Sequence, residues 1–327
     1  MDIYIDKANL VSFIKSKDDL LYTDCNKLLK KQLNVYFNFP KEVLKENQLL
    51  MQWITTLSQG VNPDTVIKFD YKEPKRPLKS TTSNGFCDNK LSSVYLLEDA
   101  ETTKFKDSGC VLVGEVGEEI EILKKLFINQ NDYLFEKKLR INGVGFKAWQ
   151  DLENYSLPLT DIIIVDPYIT SDASLFPSNL EMLLKTIALK SNSKINVVIY
   201  TNKDQCISYE QISPVIRKAI KQVTGVGPKF TLVTYRDQRG QDTRAEHDRT
   251  VLMNYHRIYS GDTFNYFDST GKVITKGREL SFSSLANFDN FNLSRELIRD
   301  LQKNIDFFRA NNTGIEGDKR SNFVNFN

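Results

Sequence analysis

Ile162-Ile163-Ile164-Val165-Asp166-Pro167-Tyr168 is the stretch on which the fold turns. Four β-branched residues in a row have no polar face, so the strand they predict is buried on both sides. Pro167 closes it. Downstream, Ser178-x-x-Glu181 has the pattern of a capping box ahead of Met182, Leu183, Leu184 and Ile187, which predicts a helix. Residues 195–200 give a second apolar strand. Ser213-Pro214 predicts the start of another helix, because proline is favoured in a first turn, and Gly225 its end. Residues 229–235 then give a third strand. Strand, helix, strand, helix, strand predicts right-handed crossovers and a mostly parallel sheet covered by helices, an α/β class.

Beyond this unit, residues 236–246 form a polar loop of mixed charge, and residues 247–254 predict a strand. Residues 266–274, with Ser269-Thr270-Gly271 at the centre, read as a hairpin. Leu297, Ile298, Leu301 and Ile305 form one helical stripe. Residues 311–327 are polar and glycine-containing, the composition of a flexible tail. Toward the start, residues 1–6 alternate like a strand, Leu10, Val11 and Ile14 carry helical spacing, and residues 41–57 predict a helix. Residues 60–90 hold Pro63, Pro74 and Pro77 and read as a linker, with strands expected at 93–97 and 111–113 and a helix at 118–127. Residues 129–159 show no clean period. These signs predict two α/β domains, 1–145 and 146–310, followed by the tail 311–327.

Composition narrows the function. Lys and Arg number 44 against 42 Asp and Glu, a net charge of +2, so no global basic field advertises nucleic acid and an anionic ligand must meet a local patch. Four separated cysteines and two histidines exclude a zinc site of several Cys and His ligands. Reduced thiols, no charged-then-apolar start and no long apolar run predict a cytoplasmic protein with no signal peptide and no transmembrane segment.

The string His247-x-Arg249-x4-Asn254-x6-Gly261 carries the chemistry. Residues two apart on a strand share a face, so His247 and Arg249 converge. The planar guanidinium of arginine matches phosphate oxygens, and Asn254, after a turn, would add an amide donor. A histidine beside such donors suits phosphoryl transfer through a phosphohistidine. Asp166 ends a parallel strand, where ligand crevices of such sheets open. The plainer reading makes His247 and Arg249 part of a structural network with Asp248, Glu246 or Asp166, and Asp166-Pro167 a strand end only. Arg236, Arg239 and Arg244 are offset by Asp237, Asp242 and Glu246, a solvated mixed-charge face. Lys72, Lys75, Arg76 and Lys79 are a local basic excess that reads as solvated linker before nucleic-acid site.

With its βαβαβ approach, this string resembles the HxKx4Dx6G signature of the phospholipase D superfamily. The sequence His247-Asp248-Arg249 together with Asp166-Pro167-Tyr168 is similar to the HDR-bearing branch, which includes the domains behind MIT modules and related bacterial proteins. The resemblance covers roughly residues 145–310. It implies a phospholipase D-like unit with His247, Arg249 and Asn254 in the catalytic positions and Arg249, Asp166 and Gly261 around a phosphate, with no cofactor. Arg249 stands for the family's lysine, Asn254 for its aspartate and Asp262 for its serine. Family catalysis uses two motifs, and here there is one. His256 would face away from His247 on a continuous strand, so a homodimer pairing two copies of His247 would have to supply the second histidine.

In the first half, strands end in Asp6 and in Glu98-Asp99. Carboxylates at adjacent strand ends are how metal-dependent nucleases hold magnesium, and a PIN-like nuclease would use Asp6 and Asp99 in this way. Acidic strand ends are also ordinary in α/β domains. The leading expectation is a degenerate phosphodiester-binding module acting on nucleic acid or an anionic phospholipid surface, in the setting of a bacterial defence system. The alternatives are a dimeric phosphodiesterase or nuclease using His247, and an assembly module.

Overall fold

The computed structural model describes residues 2–15, 34–59, 67–70, 93–96, 111–113, 124–132, 134–141, 145–191, 194–236, 249–275 and 277–327. The chain is of the α/β class and builds two sheets. In the first half, β1 (Asp2–Ile5), β2 (Asn34–Phe37), β3 (Ile67–Lys68), β4 (Ser93–Leu96) and β5 (Val111–Val113) form an all-parallel sheet in the order β3-β2-β1-β4-β5. Helix α1 (Lys7–Lys15) follows β1. The helix expected at 41–57 is two, α2 (Val43–Glu46) and α3 (Gln48–Ser58). Asn47 divides them because its extended backbone breaks the first while its side chain accepts the Leu50 N–H of the second at 3.2 Å.

The second sheet has nine strands: β6 (Glu136–Ile141), β7 (Gly145–Phe146), β8 (Asp161–Val165), β9 (Asn196–Asn202), β10 (Lys229–Tyr235), β11 (Arg249–Met253), β12 (His256–Ser260), β13 (Glu279–Ser284) and β14 (Ile315–Gly317). Their order is β14-β10-β9-β8-β11-β12-β13-β6-β7. β8, β9 and β10 are parallel, as the sequence predicts. From β11 to β6 the neighbours are antiparallel, and so is β14 against β10, so the sheet is mixed rather than mostly parallel. β6 lies before the boundary expected near residue 145, yet it is hydrogen-bonded to β13. Residues 136–141 therefore belong to the second sheet.

β8 is buried along its whole length, and its side chains divide by parity. Ile162 and Ile164 join a core with Leu183, Leu184 and Ile187 of α4 (Leu180–Ala188) and Ile212, Ile216 and Ile220 of α5 (Tyr209–Thr224). Ile163 and Val165 join the opposite core with Ile298, Leu301 and Ile305 of α6 (Phe288–Ala310). That second core also takes in Ile3, Ile5, Val35 and Phe37 of the first sheet. The two sheets share no strand but do share a core.

Three local expectations change. Ser178 does not cap α4; Asn179 precedes it, and its amide instead donates to the Phe267 carbonyl at 2.7 Å and accepts the Phe267 N–H at 3.0 Å, pinning the 266–274 hairpin. α5 starts before Ser213-Pro214: Ser208 caps it, with Gln211 completing the box, and Pro214 sits inside. Gly225 ends it in the left-handed region, φ 73°, as expected. Residues 311–327 are not a frayed tail. They supply β14 and bury Phe323, Val324 and Phe326 in the second core. The polar composition hid three apolar anchors. Gly317 fits because a Cβ there would collide with the Phe230 carbonyl.

Candidate functional site

The parallel strands β8, β9 and β10 end together at one edge of the sheet, and antiparallel β11 begins there, with Thr250 opposite Val165. Asp166 and Arg249 therefore meet at this edge. The guanidinium of Arg249 donates from Nη1 to the Gly261 carbonyl at 3.1 Å and lies 6.0 Å from the Tyr168 ring centre. Gly261 thus supports Arg249 through its backbone, and no atom crowds its Cα on the side a Cβ would take.

Asp166 is not a phosphate contact. Its carboxylate is wholly buried and acts as a brace. Oδ1 accepts the Tyr168 N–H at 2.8 Å, while Oδ2 accepts the Thr263 hydroxyl and the Phe264 N–H, both at 2.8 Å. The brace fastens the turn after β8 to the loop after β12. Burial pushes the Asp166 carboxyl up to about 6, against the pull of these donors and of the Arg249 charge. Asp262 belongs to the same corner: its Oδ1 accepts the Thr263 N–H at 3.0 Å and its Oδ2 lies 3.4 Å from the Arg278 guanidinium.

Asn254 is not at this edge. It turns the chain from β11 into β12 at the opposite end, where Oδ1 accepts the backbone N–H groups of Thr160 and Asp161 at 2.9 and 3.1 Å. Its Nδ2 donates to the Thr160 hydroxyl at 3.2 Å. One strand length, about 16 Å at the usual rise per residue, separates it from Asp166. It is a buried structural amide rather than a catalytic group. The turn also means that His256 does not share a continuous strand with Arg249. It sits near Asn254, buried, with Nε2 3.1 Å from the Lys125 carbonyl and its ring 5.1 Å from that of Phe282. Burial pulls His256 down to about 4; the Lys125 carbonyl opposes this shift and the Lys125 charge adds to it.

His247 and Asp248 lie outside the described residues, as do Arg239, Arg244 and the cations Lys72, Lys75, Arg76 and Lys79. Arg236, at the end of β10, is exposed and 3.5 Å from Asp204. In the first sheet, Asp6 follows central strand β1 and is nearly buried, while Asp99 lies outside the described residues. Among the described residues no group of three or more His, Cys, Asp or Glu side chains could hold a metal ion.

Sequence reasoning gave no role to Tyr168, Thr263, Asn265 or Tyr266. The Tyr266 hydroxyl donates to Ser260 Oγ at 2.6 Å, its ring stacks on Trp149, and burial raises its ionisation far above ordinary. Asn265 donates to the Tyr168 carbonyl at 2.9 Å, and its buried Oδ1 has no hydrogen-bond partner among the described residues. Tyr168 alone was within reach of a motif argument, as the residue following Asp166-Pro167; the others lie in a loop without period. Among the described residues no helix is long and apolar enough to cross a membrane. No known family model matches the chain, and no curated protein matches it closely enough to count as a relative.

Proposed function

We propose that this chain is a phospholipase D-like module that binds phosphodiester groups, of nucleic acid or of an anionic lipid surface, at the edge where β8, β9 and β10 end. The observation that carries this reading is the fixed cation there. Arg249 is half-buried and held by the Gly261 carbonyl, at the strand ends where open α/β sheets receive ligands. A planar, always-charged guanidinium so placed matches phosphate oxygens. His247 precedes it by two residues, which span at most about 7 Å of chain.

The placement of Asn254 and His256 at the far end favours binding over catalysis, since neither can act on a ligand at Arg249. Titration of the full chain with a labelled oligonucleotide and with anionic vesicles tests the reading. Binding that weakens with salt and with Arg249→Lys supports it. Unchanged affinity for both ligands alongside a lowered melting temperature would make Arg249 structural and leave an assembly role in front. Chelator-resistant hydrolysis abolished by His247→Ala would move the protein to the dimeric phosphodiesterase reading.

A further inference from the structure

We infer that the ligand of this edge is single-stranded nucleic acid, with an unpaired base stacked on Tyr168; this rests on the phosphodiester reading above. Tyr168 is 41 % exposed, whereas most aromatic rings of the described chain are buried. Its ring is flanked by the Arg249 guanidinium, at 6.0 Å. Its backbone is held at both polar groups: the N–H donates to Asp166 Oδ1 and the carbonyl accepts from Asn265 Nδ2. An aromatic ring on a braced backbone beside a cation is a stacking platform for a nucleobase.

The charges around it decide between nucleic acid and membrane. Lys203 follows β9, Arg236 follows β10 and Arg249 opens β11, so exposed or half-exposed cations lie along the ends of neighbouring strands. Three strand spacings, about 14 Å, separate the β10 and β11 ends, enough for a short run of nucleotides. Asp204 lies 3.5 Å from Arg236, and Asp262, on the same corner, pairs with Arg278, so the cations here are partly offset. A membrane surface draws on several unopposed cations at roughly 1 kcal/mol each, more than the described residues of this edge supply. A single strand can instead gain from base stacking on Tyr168, with a few phosphates met locally.

The experiment is fluorescence anisotropy on the full chain with a labelled single-stranded oligonucleotide, its abasic counterpart and an equal-length duplex, beside sedimentation with phosphatidylserine vesicles. Tyr168→Leu and Tyr168→Phe are compared with wild type, with a thermal melt for each. Tyr168→Leu should weaken oligonucleotide binding about ten-fold or more, the range of one lost base–aromatic stack, while Tyr168→Phe should keep it. The abasic strand should bind weakly and be indifferent to Tyr168→Leu. Equal binding of intact and abasic strands, untouched by Tyr168→Leu, would overturn the stacking inference and leave phosphate binding standing. Preference for the duplex or the vesicles would overturn it likewise. Binding of none of the four would sink the phosphodiester reading with it.

Discussion

The two ends of β8 each carry a buried aspartate, and the pair are used in opposite ways. At the far end, Asp161 is filled by the chain itself: the Asn322 backbone N–H and Nδ2, both at 2.6 Å, the Ser321 hydroxyl at 2.9 Å and Asn196 Nδ2 at 3.2 Å. Asn254 and His256 complete that end, bonded to backbone groups and to the buried Thr160 hydroxyl. At the near end, Asp166 braces a corner that presents Tyr168, Arg249 and Asp262 toward solvent. The same residue type thus closes the sheet at one end and holds open a polar rim at the other. The far end is architecture, and the near end is where a ligand would be met.

The sharpest way to break this contrast is to remove residues 318–327. Three buried apolar side chains would be taken out of the core, at about 1.5–3 kcal/mol each, and Asp161 would lose its Ser321 and Asn322 donors. The summed loss exceeds about 5 kcal/mol, comparable with the whole stability of many domains. Thermal melts and limited proteolysis should show a chain that no longer folds cooperatively. A truncated protein melting like the full chain would end the idea that the far end is structural.

Asn254→Ala comes next. It strands the N–H groups of Thr160 and Asp161 in the interior, a loss of about 2–5 kcal/mol by urea titration. Oligonucleotide affinity of the folded variant should not move. If affinity fell while stability held, Asn254 would have to be returned to the ligand site.

Two buried groups, Asp166 at the near end and His256 at the far end, answer pH with opposite sign. Asp166 has its carboxyl raised from 3.8 to about 6, so the folded chain holds that proton more tightly than the unfolded one. Its stabilising effect is full below 3.8 and is lost as pH rises through about 6. His256 is lowered from 6.5 to about 4, so its contribution is full above 6.5 and is lost as pH falls through about 4. Each effect is worth about 3 kcal/mol, and over pH 4–6 they oppose one another. Relative to wild type, Asp166→Asn should lose more stability on acidification from pH 7 to 4.5, and His256→Gln should lose less. Denaturant titrations at both pH values check this.

The smallest effect expected is that of Arg249→Lys, about 1–3 kcal/mol in ligand affinity with little change in melting temperature. A drop in stability of that size with affinity intact would assign Arg249 to architecture and erase the contrast.

The central strands were legible because β8 announces itself: four β-branched residues without a polar break admit a strand with two buried faces. The site was harder to read. Bringing Asn254 beside Arg249 needs a turn between them, but β11 runs unbroken from Arg249 to Met253 and the turn comes only at Asn254-Tyr255, a strand length away. Spacing in sequence cannot reveal a turn whose asparagine is held by residues 93 and 94 positions away. Residues 311–327 misled for a related reason. Their anchors, Phe323, Val324 and Phe326, are spaced by neither a helical nor a full strand period, so composition outweighed pattern. Tyr168 stands next to a motif in the sequence, but only the guanidinium beside it gives it a place in the site.

The pairing of Asp161 with Ser321 and Asn322 also sets a schedule. These residues are 160 and 161 positions apart, so on the ribosome β8 emerges long before the groups that satisfy its buried carboxylate. At about 5–20 residues per second, that interval is roughly 8–30 s. During it, the β8-β9-β10 layer can collapse but cannot be sealed, and its last edge strand, β14, arrives in the same late stretch. Contacts of such long sequence separation slow folding and leave strand edges open meanwhile. Pulse-labelled hydrogen exchange should therefore find the amides of β8 and β10 protected only in the final phase of refolding, together with those of residues 315–324.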